Sequence, residues 1–305
     1  MACEEFKTVK FRADSLERIE KCNEIIADYQ QQGLRLTLRQ LYYQLVSRNI
    51  IPNVERSYKN LSTLVTDARM AGMMDWNAIE DRGRVAESPS EFANIEELLD
   101  VALRAYRLPR WKTQENYVEL WVEKQALAGV LQPLAREFHV TLMVNKGYSS
   151  ASAMYESAQR YMQHEEREEH PDDEEGADLG RYFHLLYLGD HDPSGEDMVR
   201  DVKERLSTFG TTLQVKKIAL TMNQVQRYNP PPNPAKVSDP RAEEYIKKHG
   251  DSSWEVDALP PQTLQQIIRR ELDQLVDRDR MDEIIEQEKK DKELLRAAVQ
   301  SLRSS

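Results

Sequence analysis

Asp190 and Asp192, with one residue between them in Leu188-Gly189-Asp190-His191-Asp192-Pro193-Ser194-Gly195, are the side chains of this sequence best suited to chemistry. They follow the apolar run Tyr182–Leu188 and precede a polar helical pattern that starts at Glu196. The run is too short for a typical helix, so it predicts a buried strand that delivers two acids into a tight turn. In open α/β sheets the ligand site lies beyond the carboxyl ends of the strands, which is where such a turn falls. Two unpaired carboxylates about 4 Å apart repel by roughly 1 to 4 kcal/mol, so a positive partner is expected. A hard divalent cation such as magnesium suits an oxygen-only ligand set completed by water and phosphate. Pro193 and Gly195 then shape the turn and leave room for a phosphodiester. The same residue types also build ordinary solvated turns.

The elements that would position this turn are read from the flanking pattern. Strands are expected at Tyr117–Val122, Val140–Val144, Tyr182–Leu188 and Leu213–Leu220. Helices are expected between them, at Lys124–Phe138 around Pro133, at Ala151–Gln163 and at Glu196–Thr208. Strand and helix in alternation imply a parallel sheet with right-handed crossovers. Glu123 ends the first strand, on the same carboxyl edge as Asp190 and Asp192. Three convergent carboxylates bind magnesium more specifically than a pair, and Glu123 is then placed to exchange a proton with a leaving oxygen.

Upstream, Ser15–Gln32 reads as an amphipathic helix, and Thr37 caps a second helix with Leu38, Leu41, Leu45 and Val46 on one face. A third runs from about Glu55 to Met70, and Trp76–Arg84 reads as a hairpin tip. Helix pair plus hairpin suggests a winged helix-turn-helix, in which Arg56, Lys59 and Arg69 would meet phosphates or base edges in double-stranded DNA. A plain helical domain with solvated charges fits the same spacing. Glu96–Tyr106 links the halves, and Pro109 marks the boundary, giving domains 1–108 and 109–305.

The net charge of −11 is concentrated: residues 164 to 178 carry −8, and the remaining chain only −3. That acidic tract is expected to be a disordered surface insertion, because like charges repel and little apolar surface is available to bury. From Gly33 to Val85 eight basic residues face five acids, which leaves DNA binding open. With 305 residues, 40% hydrophobic and 31% charged, and a mean hydropathy of −0.72, the chain is expected to fold as a charged globular protein with no membrane span. The start lacks the pattern of a signal peptide, and Cys3 and Cys22 form no framework, so a cytoplasmic location is expected.

Together these residues are identifiable as a resemblance. Glu123 at a strand end, Lys146-Gly147-Tyr148, and Asp190-His191-Asp192-Pro193-Ser194-Gly195 resemble the Toprim domain of topoisomerases and related nucleases. Arg39-Gln40-Leu41-Tyr42-Tyr43 resembles the Arg-Asp-hydrophobic-Tyr-Tyr motif in the winged helix of the topoisomerase VI A subunit and the meiotic double-strand-break transesterase. The match runs from about Thr37 to Leu220 in that family's order, although Gln40 replaces its usual Asp and Ser149 its usual Pro.

The resemblance implies an α/β chain with an N-terminal winged helix, a Toprim parallel-sheet domain and a C-terminal helical extension. It also implies that Tyr43 is the nucleophile, that Arg39 supports the phosphate, and that Glu123, Asp190 and Asp192 hold Mg2+. Lys146 would contact DNA. A homodimer follows, since in that family the tyrosine of one protomer works with the carboxylates of the other. Strand passage would need a separate ATPase (B-type) subunit, because the chain shows no phosphate-binding glycine loop. Hydrolytic cleavage of DNA by metal-activated water is the alternative, as is a DNA-binding subunit whose cleavage is latent. Downstream, Glu255 and Asp257 are weighed for the metal site, with capping or a salt bridge as the competing role, and Thr263 onward is expected to be helical.

Overall fold

In a computed structural model, residues 3–79, 89–145, 147–235 and 237–303 are described. Four strands, β1 (Asn116–Val122), β2 (Thr141–Val144), β3 (Tyr182–Leu188) and β4 (Gln214–Ala219), form one parallel sheet in the order β2-β1-β3-β4. β1 is aligned along its whole length with β3, Asn116 opposite Tyr182 and Val122 opposite Leu188. Alternate residues of the strands serve opposite faces, as the period of two requires. Val118, Leu120 and Val122 share a core with residues of α5 (Ala128–Phe138) and α10 (Pro261–Asp273). Tyr117 and Trp121 share another with residues of α6 (Ala151–Met162) and α7 (Pro193–Thr208). Burial on both faces explains why the central strands β1 and β3 read as apolar runs.

Strand order reverses between β1 and β3: the chain passes from β1 outward to β2, then returns to β3 on β1's other side and continues to β4. Such a switch point opens a crevice at the carboxyl ends of the two central strands. Those ends carry Glu123 and Asp190.

Helices α1 (Ala13–Gln30), α2 (Leu38–Ser47) and α3 (Glu55–Met70) share a separate core that includes Ile19, Ile25, Leu41, Leu45, Leu61 and Val65. Thr37 caps α2 as anticipated, and Gln40 completes a capping box by accepting the Thr37 N–H at 2.8 Å. Thus Gln40 is engaged locally at the place where the resembled motif has an acid. Beyond α3, Leu36 bridges Ile79 in parallel, while residues 80–84 of the expected hairpin tip lie outside the described residues. Ala258 joins this N-terminal core, so the far end of the chain packs onto α2.

Several elements depart from expectation. The segment after β1 begins as a single 3-10 turn, Gln125–Leu127, and α5 starts only at Ala128 with Pro133 inside it. α7 begins at Pro193, not Glu196, because proline suits the first helical position and Asp192 caps it. The acidic tract lies on the surface with most of its acids exposed, as expected, but it is anchored at three residues. Arg167 is buried and pairs with Asp173, whose other oxygen accepts from Arg280 at 2.7 Å, and His170 meets Glu283 at 2.8 Å. Arg280 and Glu283 belong to α11 (Arg278–Arg303), so the partners that anchor the tract, Arg280 as counter-charge and Glu283 as hydrogen-bond partner, are remote in sequence. The linking helix, α4 (Ile95–Ala105), also packs on α11, with Tyr106 bonded to Asp291 at 2.7 Å. Between β4 and α10 lie α8 (Met222–Tyr228), a two-strand pair of β5 (Asn233–Pro234) and β6 (Ser252–Ser253), and α9 (Ala242–His249). Among the described residues no helix is long and apolar enough to cross a membrane.

Candidate functional site

The carboxyl edge of the sheet is built tightly. Gly189 exchanges backbone hydrogen bonds with Ala219 and Leu220, and the Asp190 N–H donates to Glu123 Oε2 at 3.1 Å. Glycine is required at two positions here. A Cβ on Gly189 would meet the Tyr187 ring at 2.5 Å, and one on Gly195 would meet the Asp190 carbonyl oxygen at 2.1 Å. Gly195 therefore answers to the chain's own backbone rather than to an approaching ligand.

Asp190 is 5% exposed and doubly held. Its Oδ1 accepts the Val256 N–H at 2.9 Å, and its Oδ2 lies 2.7 Å from Lys124 Nζ. The same ammonium reaches Glu255 Oε2 at 2.8 Å. Asp190, Glu255 and Asp257 each offer an oxygen within 4.8 Å of the others. This differs from the anticipated trio. Asp192 uses Oδ1 to cap α7, accepting from Gly195 N at 2.6 Å and Ser194 Oγ at 2.8 Å, and Glu123 braces the Asp190 backbone.

Burial pushes the Asp190 carboxyl up, with Lys124 opposing and Glu123 and Glu255 reinforcing the shift. Asp257, fully buried, is raised for the same reason against the pull of Arg39 and Lys124. For Glu255 burial is outweighed by Lys124 and Arg39, and its carboxyl falls below the usual range. Burial pulls the Lys124 ammonium down, but Asp190, Asp257 and Glu255 hold it well above the ordinary value.

The tyrosine helix meets this cluster directly. Arg39 donates through Nε to Asp257 Oδ2 at 2.8 Å and through Nη2 to Glu255. Its Nη2 also lies 3.4 Å from the Tyr43 hydroxyl, with the guanidinium over the Tyr43 ring. Tyr42 and Tyr43 are both buried. The Tyr42 hydroxyl donates to Asn53 Oδ1 at 2.9 Å, and its ring packs edge-on against Tyr58. Burial, reinforced by Glu255, raises the Tyr43 phenol well above its ordinary value, against Arg39. A cleft of about 550 Å³ is lined by Arg39 and Tyr43 from α2 together with Asp190, Asp192, Asn233 and Glu255. One chain therefore places its tyrosine and its carboxylates on a common cavity.

No protein-family model and no curated protein matches this chain.

The expected DNA contacts divide. Arg56 is exposed on α3, and Lys59 on the same helix pairs with Glu55 at 2.7 Å. Arg69, expected at a phosphate, instead donates to the carbonyls of Trp76 and Ile79 and stacks on the Trp76 ring, because the chain turning back after α3 leaves those carbonyls to be satisfied. Lys146 lies outside the described residues. Lys124 was missed by sequence reasoning, although its position directly after Glu123 is a readable signal.

The cluster suits a hard divalent cation. All its donors are oxygens, and Asp257 Oδ1 is buried without a hydrogen-bond partner among the described residues. Asp190, Glu255 and Asp257 face Lys124 and Arg39, so the cluster keeps one formal negative charge beyond its internal cations, of the sign that attracts a dication.

Proposed function

We propose that this protein cleaves double-stranded DNA by magnesium-dependent tyrosine transesterification, as a compact protein like the topoisomerase VI A subunit, with winged-helix and Toprim parts. The supporting observation is the single cleft in which Tyr43 and Arg39 meet Asp190, Asp192 and Glu255. The strand order and the turn at the β1/β3 switch point agree with a Toprim reading, and three N-terminal helices agree with a helix-turn-helix core.

In this reading a scissile phosphodiester enters the cleft and draws the Arg39 guanidinium from Glu255 and Asp257 onto its non-bridging oxygens. As the Oη–P bond forms, the Tyr43 hydroxyl gives its proton to water in the open cleft, and the bond from phosphorus to the deoxyribose oxygen breaks. Glu123 supplies the proton that the departing oxygen takes up. Asp190, Glu255 and Asp257 would hold Mg2+, which supplies charge stabilisation for the phosphoryl oxygens when bound. Lys124 keeps the carboxylates compensated until then. Exposed Arg56 is available to DNA phosphate.

Because tyrosine and carboxylates share a cleft within one chain, a homodimer would pair two cuts across the duplex rather than complete each site. Strand passage would still call for a separate ATPase subunit, since cleavage alone does not drive it.

A second reading, hydrolysis by an activated water, is favoured by one observation: the Tyr43 phenol is buried and held protonated. The two part on whether magnesium-dependent breaks carry covalently attached protein.

A further inference from the structure

On the opposite side of the Asp190–Asp192 turn, a different set of donors converges. His191 is 1% exposed, and its ring lies edge-on to that of His249 with centroids 4.8 Å apart. Glu196, in the first turn of α7, completes the set, and the three ligand atoms lie within 4.8 Å of one another. Glu196 and His249 line an open cleft of about 390 Å³, which offers an entry path and room for water.

Tyr245 fixes which nitrogen of His191 is bare. The Tyr245 oxygen lies 2.9 Å from His191 O, 3.2 Å from Ser252 O and 2.7 Å from His191 Nδ1. With the one phenol hydrogen on a carbonyl, the third contact is donated by Nδ1–H, the tautomer that leaves Nε2 bare. The His191 Nε2 lone pair then faces Glu196 Oε1 at 3.8 Å, too long for a hydrogen bond. The Glu196 oxygen on that side is held by Lys217 at 2.7 Å, and the His249 ring closes the third side.

We propose that His191 Nε2, Glu196 and His249 bind a borderline-soft transition-metal ion of the zinc class, distinct from the oxygen-only cluster around Asp190. Ligand atoms sharing such an ion at about 2.0–2.2 Å stand roughly 3–3.5 Å apart, a closure that rotation of Glu196 and His249 at the cleft's lip can make. Outer contacts are already in place: Tyr245 orients His191, and Lys217 holds Glu196 at 2.7 Å. Lys217 also brings a positive charge, so the two imidazole nitrogens must carry the selectivity, and Mg2+ is disfavoured. The ion would pin α9 and α7 to the turn that presents Asp190. His191 and Trp254 exchange backbone hydrogen bonds of 2.8 and 2.9 Å, which carries the constraint to Glu255. The site stands whether or not the chain cleaves DNA.

The test titrates Zn2+, and Co2+ as a spectroscopic substitute, into metal-stripped full-length protein kept in saturating Mg2+. One equivalent of Zn2+ should bind, and Co2+ should develop visible absorption from nitrogen ligation. His249→Ala and Glu196→Gln should each abolish saturation while the stripped variants stay folded by circular dichroism. Tyr245→Phe should weaken binding about 10- to 100-fold. Absence of stoichiometric binding overturns the proposal. So does binding that survives both His249→Ala and Glu196→Gln, or that is lost instead in Asp190→Asn.

Discussion

Arg39 and Asp257, 218 residues apart, are joined by a 2.8 Å hydrogen bond from Nε to Oδ2. The bond ties the tyrosine helix to the segment that follows β6 and closes one wall of the cleft. Asp257 is fully enclosed, whereas Arg39 retains some solvent contact. Removing the cation leaves a buried carboxylate compensated, among the described residues, by Lys124. Arg39→Ala is therefore expected to destabilise the protein by roughly 3 kcal/mol, the lower end for a broken buried pair. Urea denaturation checks it, and Arg39→Ala combined with Asp257→Asn should recover part of the loss.

That relationship marks the limit of what the sequence shows. The central strands were legible because β1 and β3 are short, largely apolar and buried on both faces, the outer two from their alternation with helices, and the Asp190 turn because its residue types are concentrated in one octapeptide. Glu255 and Asp257 were legible only as candidates, since nothing local announces that a loop near residue 255 returns to the end of β3. The anchoring of the acidic tract was hidden for the same reason: Arg280 and Glu283 lie more than a hundred residues further on. Lys124 is a different case. A cation directly after a strand-end carboxylate was visible, and its role as internal counter-ion follows from the repulsion it relieves.

Asp192 and Asp190 should separate experimentally despite their adjacency. Asp192→Ala removes the cap of α7 and is expected to lower stability by about 1 kcal/mol while leaving Mg2+ binding within a few-fold. Asp190→Asn should leave the fold intact and abolish Mg2+ binding. Calorimetric titration beside thermal unfolding reads both quantities.

The response to pH follows from Asp190, whose carboxyl is pushed up to about 7 by burial. In the unfolded chain it titrates near 3.9. Between these values the folded protein holds a proton that the unfolded chain has released, so this group's contribution to stability falls as pH rises from about 4 to 7. Metal competes with the same proton. Mg2+ affinity should rise over that window and level off above about pH 7, and Asp190→Asn should flatten the stability profile measured in chelator.

Gly195→Ala tests the turn itself. The added Cβ would sit 2.1 Å from the Asp190 carbonyl oxygen, so the turn must open. A loss of about 3 kcal/mol or more is expected, at or beyond the upper range for overpacking. Differential scanning calorimetry reads the loss, and Gly250→Ala, where a Cβ meets nothing within 4 Å, serves as the contrast for backbone strain alone.

The most direct measurement incubates the protein with supercoiled plasmid and magnesium, then denatures with and without protease, beside Tyr43→Phe, Asp190→Asn and Glu255→Gln. The account predicts magnesium-dependent double-strand breaks whose ends carry protein and which disappear in all three variants. Protein-free breaks that survive Tyr43→Phe, or a plasmid left intact by the wild-type chain, would contradict it.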